Sequence, residues 1–414
     1  MLNPDNPVAD RKAALRSQYE ALRAQTISLD LTRGNPSLAQ LRLSNPMLKT
    51  RAVISRDGID CRNYSKSEHL AGLPEARELC ARYLGTNPTY TVVMGNSSLT
   101  LMDNVVAWGL TKGFPGWKFP SIKPKILCPA PGYDRHHTIC REHDVEMIPI
   151  PMMEDGPNLA FVADALKDPS VVAMFCVPKY HNPTGTTFSD GVVRLLATMP
   201  AACPGFRLLW DNAYAMHDLT PRSDELLNIM RVVHNTPTED RPIVFGSFSK
   251  VTFAGGGLAF MGMSEWNFNW VSKRLFAQTI GGDKLNQLRH VRFLHNVPGI
   301  RAHMRKHRRI LSPKLAIVEE VLQSDLTGIA NWWIPRGGYF VSVYMSKGKA
   351  SSVRKYAAAI GLKLTGDVYP NGDKNDRYLR LSFTGVNDNA ELRRAMKAFA
   401  LCAQLSYWDE WPRQ

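Results

Sequence analysis

Four short polar clusters in this 414-residue chain are of types that do chemistry when a fold gathers them. Ser247-Phe248-Ser249-Lys250 follows the apolar run Ile243–Gly246 and precedes Gly255, Gly256 and Gly257. A lysine at a strand end among small residues is shielded from water. Shielding lowers its pKa and makes the amine a nucleophile toward carbonyls, although most lysines simply lie on a surface. Asp211 ends the apolar run Leu208-Leu209-Trp210, with Tyr214 three residues on. A strand-terminal Asp can cap the next turn. A buried one is costly unless paired, and a protonated pyridine nitrogen would pair it. His181-Asn182-Pro183-Thr184-Gly185 follows a third apolar run. Asn, Pro and Gly form turns, and an Asn amide there can also donate to a phenolate-type oxygen. Gly95-Asn96-Ser97-Ser98 precedes an amphipathic stretch. Small hydroxyl residues at a helix start are ordinary caps, and the same geometry is an anion site with free N–H groups.

The elements that must position these residues show in the hydrophobic pattern. Tyr90–Met94, Lys125–Cys128, Glu146–Ile150, Val171–Val177, Arg207–Trp210, Ile243–Gly246 and Leu258–Met261 read as buried strands. Amphipathic stretches lie between several of them, at Leu99–Leu110, Asp134–His143 and Phe161–Leu166. Strand–helix alternation predicts an α/β domain with a mostly parallel sheet of seven strands between helices. In such sheets the functional residues sit beyond the carboxyl ends of the strands. A long helix over Gly299–Leu326, strands in Gly337–Met345 and Arg377–Phe383, and helices near Val353–Ile360 and Asn389–Ser406 predict a smaller α/β domain. The expected division is an N-terminal segment, 1–45, that packs with the small domain; a large domain, 46–300; and a small C-terminal domain, 301–414.

Composition bounds the rest. Hydrophobic residues are 44% and charged residues 21%, ordinary for a chain with a large core. Lys and Arg number 51 against 37 acids, a net charge of +14. The densest basic run, Arg301–Arg309, reads as one solvated face of the long helix. Seven scattered cysteines with no CxxC argue against a disulfide framework or a zinc site. The first residues lack the apolar core of a signal peptide, and no apolar run approaches a membrane span. A cytoplasmic location is the expectation. Trp332, Trp333, Trp408 and Trp411 read as core or dimer packing.

The order of the four clusters resembles the fold-type I enzymes that use pyridoxal 5'-phosphate, the aspartate aminotransferase superfamily, from about Leu31 to the last helix. The resemblance implies that Lys250 carries the cofactor as a Schiff base and that Asp211 pairs the pyridine nitrogen. It places Asn182 and Tyr214 on the ring O3′, and Asn96, Ser97 and Ser247 on the phosphate. Tyr133, in Pro131-Gly132-Tyr133, is similar to the aromatic that stacks on the ring. Arg380 resembles the arginine that grips a substrate α-carboxylate, and Gly34 the glycine whose backbone approaches substrate; Asn182 also counts as a substrate contact. Tyr64 resembles the tyrosine that reaches the partner subunit's phosphate, which implies a homodimer with shared active sites.

One departure matters. Leu258 stands where the family usually has a second phosphate-binding arginine. The chain is also similar to aspartate aminotransferases close to the aminotransferase-like domain of MocR/GntR-type regulators, through Gly95–Leu99, Pro131–Arg135, Ser249–Gly255 and Asn286–Phe293. Those regulators carry a winged helix in front. Here the motifs begin near residue 32, so nucleic-acid binding is not expected, nor is a metal. The resemblance implies ping-pong transamination of L-aspartate or glutamate with a 2-oxoacid. Other reactions of the cofactor remain open, among them 2-aminoadipate or aromatic transamination and C–S lysis, as does a sensor without turnover. A dicarboxylic substrate needs a second cation; Arg33, Arg135, Arg289 and Arg292 are the candidates.

Overall fold

The computed structural model describes residues 7–25, 27–117, 123–366 and 368–410. Its strands are β1 (Leu29–Asp30), β2 (Thr91–Val93), β3 (Lys125–Ala130), β4 (Glu146–Met153), β5 (Gly156–Pro157), β6 (Val171–Cys176), β7 (Arg207–Asp211), β8 (Pro242–Ser247), β9 (Ala259–Gly262), β10 (Ala330–Trp333), β11 (Phe340–Met345), β12 (Leu362–Lys363) and β13 (Tyr378–Ser382). The large sheet runs β2-β9-β8-β7-β6-β3-β4-β5. The seven expected strands are all present, and the two-residue β5 turns back on β4 as an eighth at the edge. Pairings from β4 through β8 are parallel, and β9 alone reverses between β8 and β2.

Every residue of β6, β7 and β8 is buried. Helices cover both faces of a parallel sheet, so its strands carry apolar runs rather than alternation. Arg207, buried at the start of β7, is satisfied by Asn267 Oδ1 at 3.0 Å and the Pro115 carbonyl at 2.8 Å. This burial fixes the carboxyl ends of β2, β3, β6, β7 and β8 along one edge, where the four polar clusters begin.

A second apolar core gathers the antiparallel sheet β10-β11-β13 and the helices Ala350–Ala359 and Asn389–Asp409. The helix Pro7–Arg23 adds Leu15 and Tyr19 to it, and β1 pairs in parallel with β12, Leu29 opposite Leu362. The 30-residue helix Val297–Leu326 is about 45 Å long at 1.5 Å per residue. It begins against the first core with Ile300 and Met304 and ends in the second with Val318, Val321 and Leu322. One continuous helix, with Pro313 inside it, therefore ties the cores together. Trp332 packs on the second core, whereas Trp333 alternates to the other face of β10 and is 60% exposed, so within one chain it is not core. Trp408 is partly buried on that core; Trp411 lies outside the described residues.

Leu322 is fully buried on this helix. Leu322→Ala is expected to destabilise the chain by roughly 2–5 kcal/mol through lost burial and the cavity left behind. A urea midpoint lower at unchanged slope would show it; an unchanged midpoint would mean that the helix does not carry the second core.

Candidate active site

The strand ends enclose a cavity of about 230 Å³. Asn96, Ser97, Tyr133, Asn182, Asp211, Tyr214, Ser247 and Lys250 all line it, although they lie up to 154 positions apart. They come from the carboxyl ends of five strands. Asn96 and Ser97 follow β2, Tyr133 follows β3, Asn182 follows β6, Asp211 ends β7, and Ser247 ends β8 ahead of Lys250.

Lys250 presents its amine to the cavity with Nζ 4.9 Å from the centre of the Tyr214 ring. Burial lowers its pKa, against the opposing charge of Asp211. A lowered pKa raises the fraction of free amine, the nucleophilic form. The lysine peptide is itself held, since Tyr339 Oη donates to the Lys250 carbonyl at 3.3 Å and His217 Nε2 lies 3.4 Å from the same oxygen.

Asp211 is 3% exposed. His136 Nε2 approaches its Oδ2 at 3.3 Å but out of line for a hydrogen bond, and Oδ1 has no partner among the described residues. A buried carboxylate in that state costs several kcal/mol unless a cation or donor meets it (~1–3 kcal/mol for a neutral group left unpaired, more for a charge). The missing partner has to come from the cavity. His136 is held edge-on to Tyr133 and stacked on Phe175 at 4.3 Å.

Asn182 Oδ1 accepts from Arg380 Nη1 at 3.2 Å. A guanidinium only donates, so this contact turns the amide oxygen to Arg380 and leaves the NH₂ to donate elsewhere. Arg380 lies in β13 opposite Ser342 and is 6% exposed. Its Nη1 also donates to Asp134 Oδ1 at 2.9 Å, and its Nε is buried without a partner. The guanidinium stacks 4.6 Å from the Phe340 ring centre. Gly34 packs against the tip of that ring, where any Cβ would overlap Phe340 Cζ. Arg380 and Gly34 thus stand together beside the cavity rather than in its wall.

Ser97 is the N-cap of the helix Ser98–Lys112, and its side chain makes no cap bond. The helix therefore turns unpaired N–H groups and its positive dipole end toward the cavity. Across from it Asn96 Nδ2 donates to the Gly255 carbonyl at 3.1 Å, and Ser249 Oγ to the Asn96 carbonyl at 2.8 Å. Leu258 is buried in the large core, and a Cβ at Gly257 would come within 2.7 Å of the Ser249 backbone nitrogen. The glycine run occupies the space beside the loop, and the only cationic side chain in the cavity wall among the described residues is Lys250.

Tyr64 does not reach the cavity and is 77% exposed. Arg33, Arg135, Arg289 and Arg292 are exposed too. Arg292 lines another cleft with Glu75 and Glu78, whereas the charge of Arg135 acts on Tyr133 in the cavity wall. Sequence reasoning missed His136, His217, Tyr339 and Asp134. Each lies within four residues of a residue it did name or comes from a distant element, and a lone His or Tyr carries no spacing that marks it.

The residues present fit pyridoxal 5'-phosphate on this chain's own features. An orphaned buried carboxylate faces a site for a protonated ring nitrogen, a desolvated amine a site for an aldehyde, and an uncapped helix start a site for a phosphate. The model of the family described as aspartate amino-transferase matches residues 3–412. An aspartate aminotransferase of Corynebacterium glutamicum is 38% identical over 404 residues, 95% of this chain and 92% of that protein. The crystal structure of an aspartate transaminase from the same species superposes with a TM-score of 0.93 at 35% identity over 98% of each chain. An α-aminoadipate aminotransferase of Thermus thermophilus, solved with N-(5'-phosphopyridoxyl)-L-leucine, shares the fold at 20% identity and a TM-score of 0.72, over 91% of this chain and 92% of that one.

The buried histidines predict a pH dependence. Burial lowers His181, His217 and His307 to about 3, and His137 and His290 to about 4. An unfolded histidine titrates near ~6.5. Between those values the unfolded chain binds protons that the folded chain refuses, so stability rises with pH there and is lost on acidification. Asp60 and Asp168, lowered to about 2 from 3.8, act only at lower pH. The urea midpoint should fall steadily from about pH 6.5 to 4.5; a flat profile over that window would contradict the buried neutral imidazoles.

Proposed function

The chain belongs to the aspartate amino-transferase family, and from that premise we propose that it binds pyridoxal 5'-phosphate through Lys250 and transfers the amino group of L-aspartate or glutamate to a 2-oxoacid. The single observation that carries the proposal is the pairing of a desolvated Lys250 amine with a buried, hydrogen-bond-deficient Asp211 in one cavity.

Bound there, pyridoxal phosphate supplies a conjugated ring that withdraws electrons from the substrate Cα. The chain does the rest. Asp211 holds a negative charge against the ring nitrogen. Asn182 and Tyr214 donate to the ring oxygen, Tyr133 covers the ring, and Asn96, Ser97 and Ser247 receive the phosphate with the N–H groups of the following helix. Those backbone groups, and Tyr64 of a second copy of the chain, take the place of the arginine that Leu258 lacks. Arg380 grips the substrate α-carboxylate, which takes the free Nε and displaces Asp134 from Nη1. With its amine free, Lys250 would take the proton from the substrate Cα as general base and deliver it, as general acid, to the cofactor carbon that accepts the amino group. The first product leaves as an oxoacid before the acceptor enters, so the kinetics are ping-pong. The partners are an amino acid and a 2-oxoacid in a homodimer. The seven cysteines are unpaired and buried, in keeping with a reducing cytoplasm, and no helix among the described residues is long and apolar enough to cross a membrane.

Of the four candidate cations for a distal carboxylate, Arg135 is the one whose charge reaches the cavity wall. Arg135→Ala is expected to lower kcat/KM for L-aspartate about 100-fold, as for one lost partner of a desolvated charge pair, and to spare neutral amino acids. If Arg33→Ala produces that loss instead, Arg135 is not the distal site. With L-aspartate and no acceptor, the loaded protein should release one equivalent of oxaloacetate per chain. Pyruvate with ammonia, or no product, would overturn transamination.

A further inference from the structure

A second cavity, of about 690 Å³, opens on the far side of the catalytic strand ends and shares no wall residue with the first. Successive strand residues face opposite sides, so Asp211 faces the catalytic cavity while Trp210 and Asn212 face this cleft. One wall is the start of the long helix. Arg301, Arg305 and Arg308 recur there at helical spacing and all line the cleft. Arg308 donates to the Thr220 carbonyl at 3.0 Å. Arg301 and Arg305 have no hydrogen-bond or ion-pair partner among the described residues. Like charges at that spacing repel, and nothing on the helix itself offsets them.

The acids across the cleft are mostly engaged elsewhere. Asp218 accepts from Tyr180 Oη at 2.7 Å and lies 3.6 Å from Lys179 Nζ. Asp224 pairs with Arg336 at 3.1 Å and accepts from Thr187 at 2.9 Å. Glu225 is the one acid of the wall left facing three guanidiniums. Lys179 is 7% exposed; burial lowers its pKa, Asp218 opposes this, and the charge of Arg301 lowers it further.

We propose that this cleft is a binding site for a small organic anion carrying at least two phosphate or carboxylate groups, held by Arg301, Arg305 and Arg308. Its volume is that of a small-molecule site, ~300–1,000 Å³. The site accounts for the basic run Arg301–Arg309, which the transamination chemistry does not use.

The test is calorimetric titration of the protein loaded with pyridoxal phosphate, at constant ionic strength, with inorganic pyrophosphate and with citrate as separate probes. At least one should bind saturably at one site per chain, and saturating L-aspartate should not displace it. Arg301→Ala/Arg305→Ala should weaken the binding at least tenfold. Arg309→Ala, which removes a charge from the same helix outside the cleft, should change it less than twofold. The proposal fails if neither probe saturates, if L-aspartate displaces the probe, or if Arg309→Ala weakens binding as much as the double variant. Loss of transamination in a protein that still binds the probe would count against the assigned reaction and leave the cleft standing.

Discussion

Asp211 is a buried carboxylate at the end of the central strand, and its Oδ1 meets no hydrogen-bond donor among the described residues. Left so, it would cost more than most folds can spare, since stability is a small difference of large terms. Its position follows from β6, β7 and β8, whose complete burial leaves no freedom in where the strands end. The fold holds a charge in place for something that arrives later. Lys250 is the complement, an amine desolvated by the same walls and kept reactive because Asp211 only partly offsets that desolvation.

The other groups work by being held. Arg380 comes from the second core and reaches the cavity residues through its bond to Asn182, so the proposed α-carboxylate site lies where the two cores meet. The helix Val297–Leu326 crosses from one core to the other and fixes that meeting. Tyr339 and His217 bind the carbonyl of Lys250, so the catalytic loop is tied to both the approach to β11 and the loop after β7. Asp134 shows that Arg380 is not idle before substrate comes, and its displacement makes carboxylate binding an exchange of partners rather than the burial of a bare charge.

Most of the large domain was legible in the sequence because its strands are buried on both faces and therefore appear as unbroken apolar runs. The cavity wall was legible for the same reason, since its residues follow those runs at once. Strand β5 was not, because two residues carry no period. His136 and His217 were not, because what they do depends on the fold bringing them to Asp211 and to the Lys250 carbonyl. The basic run at Arg301–Arg309 was visible but read as a solvated face. Only the folded chain shows that three of its arginines, Arg301 and Arg305 still exposed, line a cleft in which Asp218 and Asp224 are already paired.

Among the described residues three lysines are desolvated enough for burial to lower their pKa, Lys179, Lys250 and Lys314, so assignment of the cofactor to one of them can be decided directly. The measurement is borohydride reduction of the protein loaded with pyridoxal phosphate, followed by peptide mass spectrometry. A stable phosphopyridoxyl adduct on Lys250 alone is the predicted result. An adduct on Lys179 or Lys314 in its place, or none on Lys250 at full loading, would contradict the account.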